Sequence, residues 1–426
     1  MNGICTVHRT STMPPRLKVL ICSYACDPNF GSEPGMGWNF VFNIARFHEV
    51  HAIVEEHEFR ENLTRYAAEH PEDVRNITFH YIPRTHHNLL RKIWPPSYYW
   101  FYRKWLRKAY KLAAELDKQE NFDLVHQLTL AGYREPGYLW KLGKPLVWGP
   151  IGGLNNTAWC LIRGLDWHSK VYFTCRNLLN SFQMRFSYAA RTFSRHAQAI
   201  LVCDPAALPD IERLWQRKAE VMREIGLHAS STCPQPATHE PGTPLKICWV
   251  GSLMRLKGLE MILEALARCQ SKIHLDIIGR GHMEDEWKEL ARKLGVEHMV
   301  TFHGFMPHDK VLPFMQQCHV FCSSSIKEGG TATVTLEALC CGLPLVALNH
   351  CGFASVIDDT CGVRIPIQSR QQIVADFATT FDHLATDEAH RYNLACGSLR
   401  RSGLFSWEEK MTHLNAVYEA VSSQSR

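Results

Sequence analysis

Short apolar runs alternate with amphipathic stretches along most of the chain. Each run holds four to six residues, which is the usual length of a strand that is buried on both faces. Between these runs, apolar residues recur with the spacing of an amphipathic helix, as at residues 38–47 and 259–269. Strands that alternate with helices are typical of parallel α/β sheets. The predicted strands lie at residues 17–22, 50–54, 123–126, 145–148, 199–203, 246–250, 273–278, 299–302 and 320–323.

The pattern is interrupted between residues 230 and 244, where proline, threonine and small polar residues follow one another without periodicity. Such a composition indicates a linker or an exposed crossing between two α/β halves. We therefore predict one Rossmann-like domain at residues 17–235 and a second at 236–404. An S-x-x-E capping box at residues 406–409 predicts a last helix that runs to about residue 421.

Composition narrows the class of protein. The chain has 426 residues, a length that suggests roughly two or three domains. Its composition, 46% hydrophobic and 21% charged residues, is typical of a globular protein. A net charge of +5 is too mild to indicate nucleic-acid binding, and no apolar run is long enough to cross a membrane. The 16 cysteines are scattered and form no C-x-x-C motif, so we expect a reducing cytoplasm without a disulfide framework or a zinc site.

The first 16 residues lack an apolar core. They predict a disordered leader at residues 1–16 and not a signal peptide. Met13 is an alternative start of the chain.

The segment at residues 328–346 carries the clearest chemical signal. Glu328 stands beside Gly329 and Gly330, and Glu337 follows on a predicted helix. The two glycines let backbone N–H groups approach a ligand, and the helix start behind them suits a phosphate. A glutamate set back on that helix can accept hydrogen bonds from paired ribose hydroxyls. The segment therefore predicts a pocket for a sugar nucleotide.

This segment resembles the donor-site motif of family 4 glycosyltransferases. In that motif seven residues lie between two glutamates, and the second glutamate begins an E-A-x-x-x-G-x-P segment on a helix. Glu337, Gly342 and Pro344 match it, whereas eight residues separate Glu328 from Glu337, which indicates one extra residue in the loop. The resemblance implies the GT-B fold, with two Rossmann-like domains facing a central cleft and a last helix, at 405–426, that crosses back to the first domain. It also implies a catalytic position for Glu328.

Two further segments of the second half resemble the same family. The loop GSLMRLKG at 251–258 resembles G-R-x-x-x-x-K-G, with Lys257 at the lysine, Ser252 at the arginine position, and Arg255 expected to replace that arginine. Cations there would neutralise a departing diphosphate. The loop HGFMP at 303–307 resembles the one that contacts the nucleotide base. The residues predicted to bind the donor are Gly251, Ser252, Arg255, Lys257, Gly279, Met306, Gly329, Gly330 and Glu337.

The first half contributes loops on the predicted acceptor side. Residues 24–40 resemble the Y-A-C-x-P-x-x-G-S-E-P-G-x-G-W signature of a bacterial polysaccharide-biosynthesis subgroup, and Phe40 in place of a third glycine argues against a dinucleotide fingerprint. Glu33 fits either a contact to an acceptor hydroxyl or a helix cap.

Many relatives have a histidine where this chain has Trp148. His126 is a candidate replacement, although a histidine at a strand end can equally be structural. The acceptor-side prediction comprises Gly31, Glu33, Gly35, Gly152 and Gly153.

Residues 91–111 combine seven cations with many aromatic residues and no acid. This composition suits contact with an anionic membrane face, at which Trp and Tyr lie at headgroup depth. A core helix with inward-facing aromatic residues is the alternative.

These motifs predict an enzyme that transfers a sugar from a UDP- or GDP-linked donor to a saccharide or lipid-linked acceptor. The resemblance implies that the anomeric configuration is retained. No D-x-D motif is present, so we expect neither a metal nor another cofactor at the site. Two alternatives stay open: an epimerase of the same fold, which would turn over without an acceptor, and a non-catalytic sensor, which would bind a sugar nucleotide without turnover.

Overall fold

A computed structural model describes residues 16–84, 97–227, 235–328, 330 and 332–423. Residues 1–15 of the predicted leader and residues 230–234 of the predicted linker lie outside these ranges.

The first described sheet contains seven parallel strands in the order β3-β2-β1-β4-β5-β6-β7. The strand order therefore reverses between β1 and β4, and ligands bind beside such a point in open α/β sheets. The strands are β1 Lys18–Ser23, β2 Glu49–Glu55, β3 Ile77–Ile82, β4 Leu124–Thr129, β5 Leu146–Ile151, β6 Ala199–Val202 and β7 Glu220–Val221. The helices described along this part of the chain are α1 Ser32–Ala45, α2 Glu56–Glu69, α3 Ser97–Glu120, α4 Trp159–Arg163, α5 Trp167–Phe186, α6 Tyr188–His196 and α7 Leu208–Trp215.

The second described sheet repeats the same order with six parallel strands, β10-β9-β8-β11-β12-β13. Its strands are β8 Leu245–Val250, β9 Ile273–Ile278, β10 Val300–Gly304, β11 Val320–Ser323, β12 Leu345–Leu348 and β13 Gly362–Ile365. The helices described here are α8 Leu259–Leu266, α9 Glu284–Lys293, α10 His308–Met315, α11 Thr333–Cys340, α12 Cys351–Val356, α13 Arg370–Thr386, α14 Glu388–Ser402 and α15 Trp407–Ser423. The predicted pair of Rossmann-like sheets is confirmed.

Every strand predicted from the sequence is present, with ends shifted by at most three residues. The strands β3, β7, β12 and β13 were not predicted. The predicted start of α1 at residue 38 is wrong, because the helix begins at Ser32 and includes the glycines of the preceding loop. A Cβ at Gly35 would lie 2.2 Å from the Phe30 carbonyl oxygen, and one at Gly37 would lie 2.0 Å from that of Ala25. These glycines therefore serve close backbone packing.

The last helix, α15, packs against the first sheet. The serine half of the predicted capping box is present, because Ser406 Oγ accepts a hydrogen bond of 3.1 Å from the Glu409 N–H, whereas the Ser406 N–H donates to the Gly403 carbonyl oxygen. Trp407 meets Phe40 edge to face at 5.3 Å, and Tyr418 is buried in the same core. The helix therefore returns from the second half of the chain to the first.

The helices α4 and α5 lie between the two cores. Leu161, Ile162, Leu165 and Phe173 belong to the hydrophobic core of the second sheet, although they precede the predicted linker. The predicted limits of the two domains stay predictions.

Helix α3 contains most of the cation-rich segment that was predicted to face a membrane; residues 91–96 of that segment lie outside the described ranges. Phe101, Tyr102 and Trp105 are buried in this helix, and only Tyr99 and Trp100 among its aromatic residues are largely exposed. Most of its aromatic surface therefore belongs to the core, as the alternative prediction had it.

Candidate active site

A cleft of about 680 Å³ lies between the two sheets. Segments that follow β1, β4, β5, β6 and β7 form one wall, and segments that follow β8 and β11 form the other, so both sheets contribute the carboxyl ends of their strands. The first wall consists of Ser32, Glu33, Met36, Ala131, Gly132, Gly152, Gly153, Cys203, Glu224 and Ile225. The second wall consists of Val250, Gly251, Ser252, Lys257, Glu328, Gly330, Ala332, Thr333 and Val334.

Glu33 is one of two carboxyl groups on the first wall and is half-buried. It lies in the first turn of α1, and its Oε1 accepts a hydrogen bond of 2.5 Å from the backbone N–H of Ala131. The side chain thus braces the loop after β4 and does not cap its own helix. Burial raises the pKa of Glu33, and the hydrogen bond from Ala131 opposes that change.

The predicted acceptor-side glycines fall into two groups. Gly152 and Gly153 line the cleft. Gly31 is the N-cap of α1, and Gly35 lies inside that helix, so neither is among the residues that line the cleft.

The second wall contains an ion pair. Lys257 Nζ lies 2.5 Å from Glu328 Oε1, and the Ser325 hydroxyl donates a hydrogen bond of 2.5 Å to the same oxygen. Both members of the pair line the cleft together with Gly251 and Ser252. This arrangement places one cation and one carboxylate side by side on the cleft wall.

The N-terminus of α11 also faces this cleft. Its N-cap residue, Ala332, provides no side-chain cap, and Thr333 and Val334 line the cleft. The unpaired N–H groups and the positive end of the helix dipole suit an anion such as a phosphate. Gly330 lines the cleft beside them, whereas Gly329 lies outside the described residues.

Three other residues predicted to bind the donor do not line this cleft. Glu337 lies in α11 and accepts a hydrogen bond of 2.8 Å from His308 Nε2. Gly279 has a φ of +139°, and a Cβ there would lie 1.9 Å from the Gly251 carbonyl oxygen, so this glycine allows two loops to meet. Met306 packs against the core beneath α11.

The predicted donor contact of Arg255 is not supported by the structure. Its guanidinium lies 3.5 Å from Asp166 and 3.2 Å from Glu286, in a separate depression of the surface. Arg255 and Lys257 are two residues apart in a 3₁₀ turn. Only Lys257 reaches the cleft.

His126, which was predicted to be catalytic, does not line the cleft. Its ring is fully buried, with Nε2 donating to the Gly149 carbonyl oxygen at 2.6 Å and Nδ1 accepting from the Tyr418 hydroxyl at 2.6 Å. Burial lowers the pKa of His126 to about 4, so the ring is neutral. The histidine joins β4 to α15 and is structural.

Sequence reasoning missed Glu224 and Lys410. Glu224 lines the first wall, and a Cβ added at Gly330 would lie 2.0 Å from its Oε1, so it spans the cleft towards the second wall. Lys410, from α15, lies behind it and donates to the Ile225 carbonyl oxygen. Burial lowers the pKa of Lys410 to about 7, although the charge of Glu224 acts in the opposite direction. Neither residue belongs to a recognisable motif.

One group of potential metal ligands is present in the described part of the chain: Glu49, His51 and Glu120. It lies at the amino ends of β1 and β2, away from the cleft, and the Lys18 ammonium is 2.8 Å from Glu120. A lysine thus already supplies positive charge there.

The fold and the cleft define a GT-B protein, with a ligand site between two Rossmann-like sheets. Residues 235–393 match the family model of the glycosyl transferases group 1. The D-inositol 3-phosphate glycosyltransferase of Corynebacterium kroppenstedtii is 28% identical over 205 residues, which cover 45% of this chain and 44% of that protein. The putative colanic acid biosynthesis glycosyltransferase WcaL of Escherichia coli K12 is 26% identical over 181 residues, covering 40% and 44%.

The structure of HepE from Anabaena in complex with UDP has the same fold, with a TM-score of 0.62, 14% identity, and coverage of 95% of this chain and 100% of that one. The chain therefore has the GT-B fold, as the sequence predicted, and its second half is similar to the glycosyl transferases group 1. The aligned region spans less than half the length of the curated relatives named above. Within the described ranges, no helix combines the length and the apolar character needed to cross a bilayer.

Proposed function

We propose that this chain transfers a sugar from a nucleotide-sugar donor to an acceptor hydroxyl. The observation that carries the proposal is the second wall of the cleft, where Lys257 and the open N-terminus of α11 face the same space. A cation beside a helix N-terminus suits a diphosphate, which is the leaving group of such a donor. The family match of this part of the chain supports the same assignment.

The residues of this wall, and Glu337 on α11 outside the cleft lining, have distinct proposed roles. Lys257 and the N–H groups at the start of α11 bind the diphosphate and stabilise the charge that grows as the glycosidic bond breaks. Glu337 accepts hydrogen bonds from the ribose hydroxyls, in exchange for the one it now accepts from His308. Glu328 holds Lys257 in place and contacts the sugar. With these groups the site needs no metal.

We propose that the reaction retains the anomeric configuration, as is implied by the resemblance to family 4. The acceptor oxygen would attack the anomeric carbon on the face from which the diphosphate departs, and a departing phosphate oxygen would take the hydroxyl proton. The carboxylate of Glu328 is already engaged by Lys257 and Ser325, so we assign it no covalent step. A hexose is the sugar we expect to be transferred.

The acceptor would approach along the first wall, beside Glu33 and the glycines at 152 and 153. We propose a growing surface polysaccharide or a lipid-linked saccharide as the acceptor and UDP or GDP as the carrier of the donor. The name of the WcaL relative refers to polysaccharide biosynthesis, and HepE was crystallised with UDP, which supports this choice.

The test is the release of nucleoside diphosphate from a panel of UDP-, GDP- and ADP-sugars, with and without saccharide acceptors. We expect release from one donor, increased by an acceptor and lost in Glu337→Ala. Glu264→Ala is the matched control, because Glu264 is another helical glutamate of this domain and is bound by Arg370 outside the cleft. Release of an epimerised donor without an acceptor, or binding without release, would contradict the proposal.

A further inference from the structure

Helix α5 presents an apolar face to solvent. Trp167, Val171, Leu178, Phe182 and Phe186 recur in steps of four and seven residues, which places them on one side of the helix. All five are among the exposed large hydrophobic side chains, as are Tyr172 and Leu179 on the edge of the same face. Nothing in the described part of the chain covers these residues.

The opposite face of α5 is buried and more polar than the exposed one. It consists of Phe173, Asn177, Asn180 and Met184. Asn177 exchanges two hydrogen bonds with the backbone of Thr157, of 3.0 and 2.8 Å. The orientation of α5 is therefore fixed by paired amides, and the helix cannot turn its apolar face inward without breaking them.

Cations border the apolar face. Lys170, Arg176 and Arg185 lie on this helix, which contains no aspartate or glutamate between residues 167 and 186. A groove of about 820 Å³ between α3 and α5 continues the surface and is lined by Phe182, Phe186 and several cations. Among these, Arg107, Arg134 and Lys141 form no ion pair with a described carboxylate.

We propose that α5 is a membrane-docking helix whose exposed face inserts into the surface of a bilayer rich in anionic phospholipid. An apolar face of this width, bordered by cations and rich in Trp and Phe, matches the physical requirements of an interfacial helix. A second copy of the chain fits less well, because a two-fold contact would bring the cations of one helix against those of the other.

Docking through α5 would place the bilayer next to the acceptor side of the cleft. The buried face of α5 bonds to the loop that follows Gly153, since Asn180 Nδ2 donates to the Leu154 carbonyl oxygen at 3.1 Å. The Tyr133 hydroxyl, one residue beyond Gly132, donates to Asn180 Oδ1 at 3.0 Å. Both loops belong to the first wall. The surface thus supplies a location for the lipid-linked acceptor that the proposed function includes, although docking does not depend on that function.

The test is flotation of the purified chain with vesicles of phosphatidylcholine alone or mixed with phosphatidylglycerol, without any donor. We expect the wild type to float with the anionic vesicles and to bind the neutral ones more weakly. Leu178→Glu should reduce binding roughly tenfold or more, because it removes an inserted apolar side chain. The double variant Lys170→Gln/Arg185→Gln should lose about fivefold for each cation removed.

Leu404→Glu is the matched control, since Leu404 and Leu178 are both 61% exposed and Leu404 lies far along the chain, before α15. It should bind vesicles like the wild type. Unchanged flotation of Leu178→Glu would overturn the assignment to α5, and absence of binding to anionic vesicles would overturn docking altogether. A wild-type dimer that Leu178→Glu converts to a monomer, without vesicle binding, would identify the face as a contact between copies. Donor release is measured separately, so none of these results decides the transferase proposal.

Discussion

The two walls of the cleft differ in charge and in how they are built. The second wall presents the Lys257 ammonium, paired with the Glu328 carboxylate, and the start of α11, whose positive dipole end favours a negatively charged ligand. The first wall presents two carboxyl groups, those of Glu33 and Glu224, among small side chains, and none of the residues lining it is a lysine, arginine or histidine. This contrast supports the proposal that an anionic diphosphate binds at the second wall and an uncharged hydroxyl at the first.

The largest expected effect comes from removing the cation of the second wall. Lys257→Ala should lower kcat/KM for the donor about 100- to 1000-fold, because it removes charge stabilisation of the leaving group. Arg255→Ala, two residues away but outside the cleft, should change it by no more than about twofold, since its ion pairs are largely exposed. Steady-state release of nucleoside diphosphate measures both. An equal loss of kcat/KM in the two variants would contradict the assignment of Lys257, and not Arg255, to the donor site.

A smaller effect should follow from neutralising the first wall. Glu33→Gln keeps an oxygen that can accept from Ala131 but cannot carry a charge. If Glu33 contacts the acceptor hydroxyl, kcat/KM for the acceptor should fall roughly 10-fold or more, since a hydrogen bond to a charged group is worth ~1.5–3 kcal/mol. Donor release without an acceptor should stay unchanged. A loss of donor release alone would place Glu33 on the donor side.

Substitution of His126 tests whether this residue stabilises the fold without taking part in turnover. His126→Phe leaves the Gly149 carbonyl and the Tyr418 hydroxyl without their partner. The melting temperature should fall by roughly 5 °C or more. Turnover at a temperature where the variant is folded should match the wild type. Loss of turnover in a fully folded variant, shown by circular dichroism, would restore a functional role to this histidine.

The smallest expected effect concerns Lys410, the buried lysine behind the first wall. Its pKa is lowered to about 7 from the usual 10.5, so between these values the unfolded chain binds a proton that the folded chain does not. Folded stability should therefore rise with pH across that window, and the contribution should be lost as pH falls through about 7. The melting temperature of the wild type, relative to Lys410→Met, should increase from pH 7 to pH 10. A difference that does not vary with pH would show that Lys410 is charged and supplies a cation to the first wall.

The second wall was the easier one to predict, because its chemistry lies in contiguous motifs. Glu328 and Lys257 each stand in a short loop after a strand, and parallel strands bring such loops together. Arg255 was misplaced because spacing on a loop does not tell which way a side chain points.

The first wall depends on contacts between distant parts of the chain. Glu224 approaches Gly330, and His126 meets Tyr418, more than a hundred residues away in each case. No local pattern in one sequence reports such pairs. The helices α3 and α5 show the same limit. Both are rich in aromatic residues and cations, yet neighbouring elements bury several aromatic residues of α3 and leave most of those of α5 exposed.

The most direct test of the account is calorimetric titration of the purified chain with UDP and with GDP. We predict that one of them binds, and that Lys257→Ala and Glu337→Ala each weaken its Kd about tenfold or more, while Arg255→Ala and His126→Phe bind like the wild type. If neither nucleotide binds, or if all four variants lose affinity equally, the assignment of the donor to the second wall is wrong.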